Sequence, residues 1–192
     1  MKSEIICIID RSGSMAAIAK DAIGGFNTFL EEQKKVPGEA TLTLVQFDTE
    51  YEVLHENTPL QDVPGLNENT FLPRGMTALL DAVGKTIDNI GKRLANMPEK
   101  NRPQKVIVAI LTDGQENSSR EYKLEKIKEM ITHQTEKYQW EFIFLGANQD
   151  AFEEAAKIGI SLQNAVNYAA TPIGVRNAYS DLSNRVSRSR LN

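Results

Sequence analysis

Asp10, Ser12 and Ser14 stand at alternate positions with Gly13 between the two serines, directly after the apolar run Ile5-Ile6-Cys7-Ile8-Ile9. A tight loop can aim this carboxylate and these two hydroxyls at one point, and three converging hard oxygens suit a small divalent cation. A second apolar run, Val106 to Leu111, ends in Thr112-Asp113-Gly114. Between the two runs, Gly75-Met76-Thr77 places another hydroxyl at a loop-to-helix junction. Taken singly, each residue has a plainer use. Asp10 or Asp113 can cap a turn, and Thr77 can be the N-cap of the helix it precedes. Taken together, with one motif and two further oxygen donors in order, they favour a cation over unrelated turns.

The elements that must position these residues alternate. A strand with no polar face, such as Ile5 to Ile9, belongs in the middle of a parallel sheet covered by helices on both sides, and it can expose a residue only at its end. Ala16 to Lys35 reads as a helix, with Ile18, Ala22, Phe26, Phe29 and Leu30 on one stripe. Gly24-Gly25 inside it suggests close packing on the sheet. Thr41 to Phe47 and Tyr51 to His55 read as strands joined at Asp48-Thr49-Glu50, a connection too short for a parallel crossover, so they pair antiparallel and the second lies at an edge. Asp48 is a hairpin-turn residue that also stands beside the first strand's end, within reach of supporting metal-bound water.

Glu56 to Gly75, with three prolines, is a loop whose length implies a role. A helix from Thr77 follows, with the stripe Leu80, Val83, Ile87, Ile90 and Leu94. Next come a strand over Lys105 to Thr112 and a charged helix at about Arg120 to Tyr138, with Leu124, Ile127 and Ile131 inward. A strand over Glu141 to Gly146, a short helix over Ala151 to Ile158 and a last edge strand within Ile160 to Asn167 complete the sheet. Thr171-Pro172 is a cap and first turn for a terminal helix over about 172–187, with a frayed basic tail at 188–192 carrying Arg188 and Arg190. The expected fold is α/β, a doubly wound, mostly parallel six-stranded sheet with one antiparallel edge strand, formed by residues 1–192 as one domain. Sites in such sheets lie beyond the carboxyl ends of the strands, where Asp10 and Asp113 fall.

The pattern D-x-S-x-S after a buried first strand, a distant Thr and a later Asp before Gly resembles the metal-ion-dependent adhesion site of von Willebrand factor type A domains. The order of elements fits from about Glu4 to about Val186. The resemblance implies a strand order of 3-2-1-4-5-6, with the third strand antiparallel. It also implies a metal ion, Mg²⁺ or Mn²⁺ rather than Ca²⁺, held by Asp10, Ser12, Ser14, Thr77 and Asp113. One coordination position would stay open for an Asp or Glu of a partner protein. The stretch Gly146-Ala147-Asn148-Gln149-Asp150 looks similar to stand-alone intracellular A domains of bacteria and phages, which accompany tellurite-resistance and stress-response systems or AAA-type ATPases.

Composition narrows the class. Of 192 residues, 41% are hydrophobic and 25% charged, enough for a full core, and the formal net charge of -4 disfavours a nucleic-acid partner. No membrane-spanning or signal-peptide pattern is present, and Cys7 is the one cysteine, so a cytoplasmic protein is expected. Two functions compete. One is a metal-dependent protein-binding module with no catalytic residue. The other is a Mg²⁺-dependent phosphoryl-transfer or phosphatase-like enzyme using Asp10 and Asp113. Haloacid-dehalogenase phosphatases need a second Asp two residues after the first, where this chain has Ser12. Neither His55 nor His133 is placed to activate a serine, and no Gly-rich phosphate loop occurs. The binding module is the stronger reading. Arg11, Arg74 and the loops at Glu56 to Met76 and Gln115 to Ser119 form its expected rim, and Glu116 and Asn117 read as solvated loop residues.

Overall fold

The computed structural model describes residues 2–147 and 150–192. The stretch from Gly146 to Asp150 therefore lies partly outside the described residues. The first strand, β1, is Lys2–Asp10, and a 3-10 turn over Gly13–Ile18 leads into α1, Ala19–Lys35. β2 is Glu39–Phe47 and β3 Tyr51–Pro59. α2 spans Leu79–Asn96, β4 Lys105–Thr112, α3 Leu124–Tyr138 and β5 Glu141–Ala147. α4 is Ala151–Lys157, β6 Ala165–Tyr168 and α5 Pro172–Leu191. The six strands lie in the order β3-β2-β1-β4-β5-β6. β3 is antiparallel to β2, and every other pair is parallel.

Helices on both faces explain why β1 has no polar side. Ile5, Cys7 and Ile9 pack with Phe26, Phe29 and Leu30 of α1 and Tyr179, Leu182 and Val186 of α5. Ile6 and Ile8 pack with Val83, Ile87 and Ile90 of α2 and Ile127 and Ile131 of α3. Each fully buried isoleucine contributes roughly 1.5–3 kcal/mol by leaving water. Glu4 shares that strand and is only 1% exposed. It is tolerated because Arg93 of α2 pairs with its carboxylate and Thr43 donates to it at 3.1 Å.

Several local expectations change. Gly25 sits against α5 rather than the sheet, since a Cβ there would stand 2.3 Å from the Tyr179 ring, whereas Gly24 faces open space. β3 continues to Pro59 past an irregular register and a left-handed Asn57 (φ 46°). The loop beyond it is packed, with Leu60, Val63, Leu66 and Phe71 in the core. α3 starts at Leu124, not Arg120, because the N–H groups of Arg120, Glu121 and Tyr122 donate to the Asp81 carboxylate. Leu124 itself is 37% exposed rather than inward.

The tail expected to fray at 188–192 is instead helical through Leu191. Arg190 is 3% exposed, and its guanidinium donates to the Gln33 carbonyl at 2.6 Å and the Val36 carbonyl at 3.2 Å. A cation thus meets the carbonyl end of α1, where the helix dipole favours positive charge. Gln33 returns the contact through its amide, which donates to Ser183 and Ser187.

Candidate metal centre

β1 and β4 are in-register neighbours, with Ile9 beside Leu111, so both chains leave the sheet at the same edge. Asp10 is fully buried at that edge. Its Oδ1 accepts from the Ser12 N–H at 2.7 Å and its Oδ2 from the Thr112 hydroxyl at 2.7 Å. Met15 N–H closes a turn on the Ser12 carbonyl, which folds Ser14 back over Ser12, and their hydroxyl oxygens lie 3.0 Å apart. The Ser14 hydroxyl then donates to Oδ1 of Asp113 at 2.7 Å. The four residues form one hydrogen-bonded chain from β1 to the loop after β4.

Thr77 arrives from the side. Gly75 adopts φ +66°, a conformation that favours glycine, and its carbonyl accepts from Gly13 N–H at 3.1 Å. Thr77 is 3% exposed. It is not the cap of α2: Ala78 occupies that position, and its own side chain makes no capping hydrogen bond. A Cβ built on Gly114 would stand 3.5 Å from Thr77 Oγ1 and 3.8 Å from Ser14 Oγ, so the two hydroxyls face the same bare glycine. The structure brings Asp10, Ser12, Ser14, Thr77 and Asp113 together around one spot.

Charge at this spot is uncompensated. Among the described residues, neither Asp10 nor Asp113 forms an ion pair. Burial pushes the Asp10 carboxyl above its usual value, against hydrogen bonds from Thr112 and Ser12, and Asp113 adds repulsion. Burial also raises Asp113. Tyr168, at the end of β6, is pushed up by burial and then by the charges of Asp113 and Asp10. No sequence signal marked that tyrosine. Two carboxylates and three hydroxyls without a basic partner fit a hard divalent cation. Among the described residues no three of His, Cys, Asp or Glu are placed to hold a metal ion, so the donor set is unlike that of a structural zinc site.

The rim differs from expectation. Arg11 is 5% exposed and turns away from the site, donating from Nε to Asp48 Oδ2 at 2.9 Å and pairing with Glu52. Arg74 donates to the same Asp48 oxygen at 3.0 Å and to Glu50 at 2.5 Å. Burial works to raise the Asp48 carboxyl, but the Glu50 N–H and the two guanidiniums outweigh it and hold Asp48 below its usual value. Asp48 is therefore the anchor of two arginines rather than a support for metal-bound water. Leu72 and Met76 are exposed on the segment that carries Arg74 and Gly75.

Glu116 and Asn117 are not idle loop residues. Glu116 Oε2 accepts from Leu80 N–H at 2.9 Å, and its Oε1 accepts from Ser118 and Ser119 N–H. Asn117 Oδ1 accepts from Thr77 N–H at 2.9 Å, while Asn117 N–H donates to the Thr77 carbonyl at 3.0 Å. Leu80 lies 36 positions from Glu116 and Thr77 lies 40 from Asn117, so no local pattern could have identified those two contacts. His55 pairs across the sheet with Leu44, and His133 packs edge-on to Tyr138 of α3, both remote from the strand ends. Burial pushes the Cys7 thiol up to about 12, which removes it as a nucleophile.

No family model and no curated protein matches the chain in sequence. Solved structures match its fold, that of a von Willebrand factor type A domain. The proximal thread matrix protein 1 of the mussel byssus, with a zinc-occupied metal-ion-dependent adhesion site, gives a TM-score of 0.68 at 16% identity. That match covers 97% of this chain and 48% of the mussel protein, so the chain spans about half its length. The von Willebrand domain of a type V pili tip protein from Porphyromonas gingivalis gives 0.63 at 11% identity, covering 96% and 94% of the two chains. A von Willebrand factor type A protein from Catenulispora acidiphila gives 0.57 at 13%, covering 95% and 42%.

Proposed function

We propose that this protein is a metal-dependent protein-binding module. A divalent cation would be held by the hydroxyls of Ser12, Ser14 and Thr77, with Asp10 and Asp113 acting directly or through water. The observation that carries this reading is that Asp10 and Asp113, neither in an ion pair among the described residues, are joined through Ser12 and Ser14 at adjacent strand ends. Neutral hydroxyls with two carboxylates suit Mg²⁺ or Mn²⁺ better than Ca²⁺, and better than the zinc described for the mussel protein. The bound cation would supply a Lewis-acidic position that an Asp or Glu of a partner protein completes. Two carboxylates leave such a site near neutral, so an incoming carboxylate meets little repulsion.

Discrimination between partners must come from the surroundings. Arg11 and Arg74 are already neutralised by Asp48, Glu50 and Glu52, so they supply little attraction. Exposed Leu72 and Met76 leave apolar contact as the means of selection. We assign no catalytic role, because neither histidine approaches Ser12 or Ser14. No helix of the described residues is long and apolar enough to cross a membrane. A cytoplasmic, bacterial or phage setting in stress response rests on the sequence resemblance and on the single buried Cys7. Pull-down from the native host tests the reading. A partner retained with Mg²⁺, released by EDTA and absent with Asp10→Ala supports it, and a partner indifferent to all three moves the interface elsewhere.

A further inference from the structure

We propose that Asn117 is a positioning residue that fastens Thr77 to the Asp113 loop, so that two of the five candidate ligands move as one body. The inference rests on the metal reading above and adds a mechanical coupling within the site. Asn117 holds the main chain of Thr77 at two points, its side-chain oxygen on the N–H at 2.9 Å and its own N–H on the carbonyl at 3.0 Å. A two-point grip on one residue removes its freedom to rotate about the chain, which a single hydrogen bond does not. The Thr77 hydroxyl is left free for a ligand. Among the described residues no hydrogen bond engages it, although Thr77 is 3% exposed.

Glu116 extends the grip. Its carboxylate accepts from Leu80 N–H in the first turn of α2 and also takes Ser118 N–H, Ser119 N–H and the Ser119 hydroxyl at 2.8 Å. The Ser119 hydroxyl in turn accepts from Asp81 N–H at 3.0 Å. The loop after β4 is thus the cap that α2 lacks in its own sequence. Asp113 and Thr77 belong to one unit, while Asp10, Ser12 and Ser14 belong to β1 and its turn. Beyond the paired strands, the units meet at the Thr112 hydroxyl on Asp10, at the Ser14 to Asp113 hydrogen bond, at Arg74 N–H on the Arg11 carbonyl and at Gly13 N–H on the Gly75 carbonyl. Any shift of Thr77 toward a bound ion must carry the Asp113 loop with it.

The test is Mn²⁺ affinity, followed by electron paramagnetic resonance, for the parent, Asn117→Ala, Thr77→Ala and the double variant, with melting of each in EDTA. Supporting groups behind metal ligands typically govern 10–100-fold in affinity. Asn117→Ala should therefore weaken Mn²⁺ about tenfold, and the double variant should bind within about twofold of Thr77→Ala, because the hydroxyl that Asn117 places is already gone. Asn117→Ser, a smaller change that cannot reach Thr77 N–H, should repeat this if Asn117→Ala melts early. Losses that multiply in the double variant, or no loss in either Asn117 variant, overturn the inference and leave the metal reading intact. A parent protein that does not bind Mn²⁺ overturns the metal reading and the inference with it.

Discussion

The Ser14 hydroxyl donates a 2.7 Å hydrogen bond to Oδ1 of Asp113, a residue 99 positions away in the chain. This contact joins the loop after β1 to the loop after β4. The hydroxyl serves the carboxylate here, and the carboxylate has no cation of its own among the described residues. Charge that a binding site collects for a ligand costs stability while the ligand is absent.

Removing that charge should therefore separate binding from stability. Asp113→Asn keeps an acceptor for Ser14 and deletes the negative charge. In EDTA it should melt later than the parent, by about 1 kcal/mol or less because Asp113 is half-buried. It should also lose Mg²⁺ binding. Calorimetric melting in EDTA checks the sign, and a variant that melts earlier would mean that Asp113 is a structural carboxylate.

Acidity should act in the same direction. Burial raises Asp10 and Asp113 above 3.8, and raises Glu4 above 4.5. These groups bind a proton more tightly folded than unfolded. Their contribution to stability is full below the unfolded values and is lost as pH rises through the folded ones. Asp48, held below 3.8, has the opposite sign, and its contribution disappears only in stronger acid. Burial lowers half-buried His55 from 6.5, so acidification to its folded value works against stability, and a His55→Gln background removes that contribution. In that background, without metal, melting should hold or rise from neutrality to about pH 4 and fall below it. Saturating Mg²⁺ should reverse the first limb. A steady fall from neutrality in EDTA would contradict the assignment of Asp10 and Asp113.

The two adjacent glycines of α1 should respond oppositely. Gly24 faces open space, so Gly24→Ala should stabilise by about 0.5–1 kcal/mol through helix propensity. Gly25→Ala must displace the Tyr179 ring of α5 and should cost about 1–3 kcal/mol. Urea melts of both variants decide this, and equal effects would mean that α1 and α5 are not in contact there.

Much of the architecture was legible because β1 and β4 are apolar on both faces, which only central parallel strands require. Asp10, Ser12 and Ser14 were local to one motif, and Thr77 and Asp113 could be placed by the order of elements. Asn117, Glu116, Arg190 and Tyr168 were not legible. Each draws its role from partners distant in the chain, and charge or polarity at those positions reads as solvated surface. Arg11 and Arg74 misled for the same reason, since Asp48, which ties both away from the site, looked like a turn residue.

The end of the chain should be structural. Arg190→Ala leaves the Gln33 and Val36 carbonyls without their charged donor and should cost about 1.5–3 kcal/mol. A chain ended after Ser187 should lose at least as much. Thermal melting checks both, and an unaffected truncation would restore the picture of a frayed tail.

Isothermal titration of the metal-free protein with Mg²⁺ tests the central claim most directly. The account predicts one ion bound per chain at neutral pH, with binding lost in Asp10→Ala and Asp113→Ala while both variants remain folded. No binding of Mg²⁺ or Mn²⁺ by the parent, or undiminished binding by both variants, would contradict it.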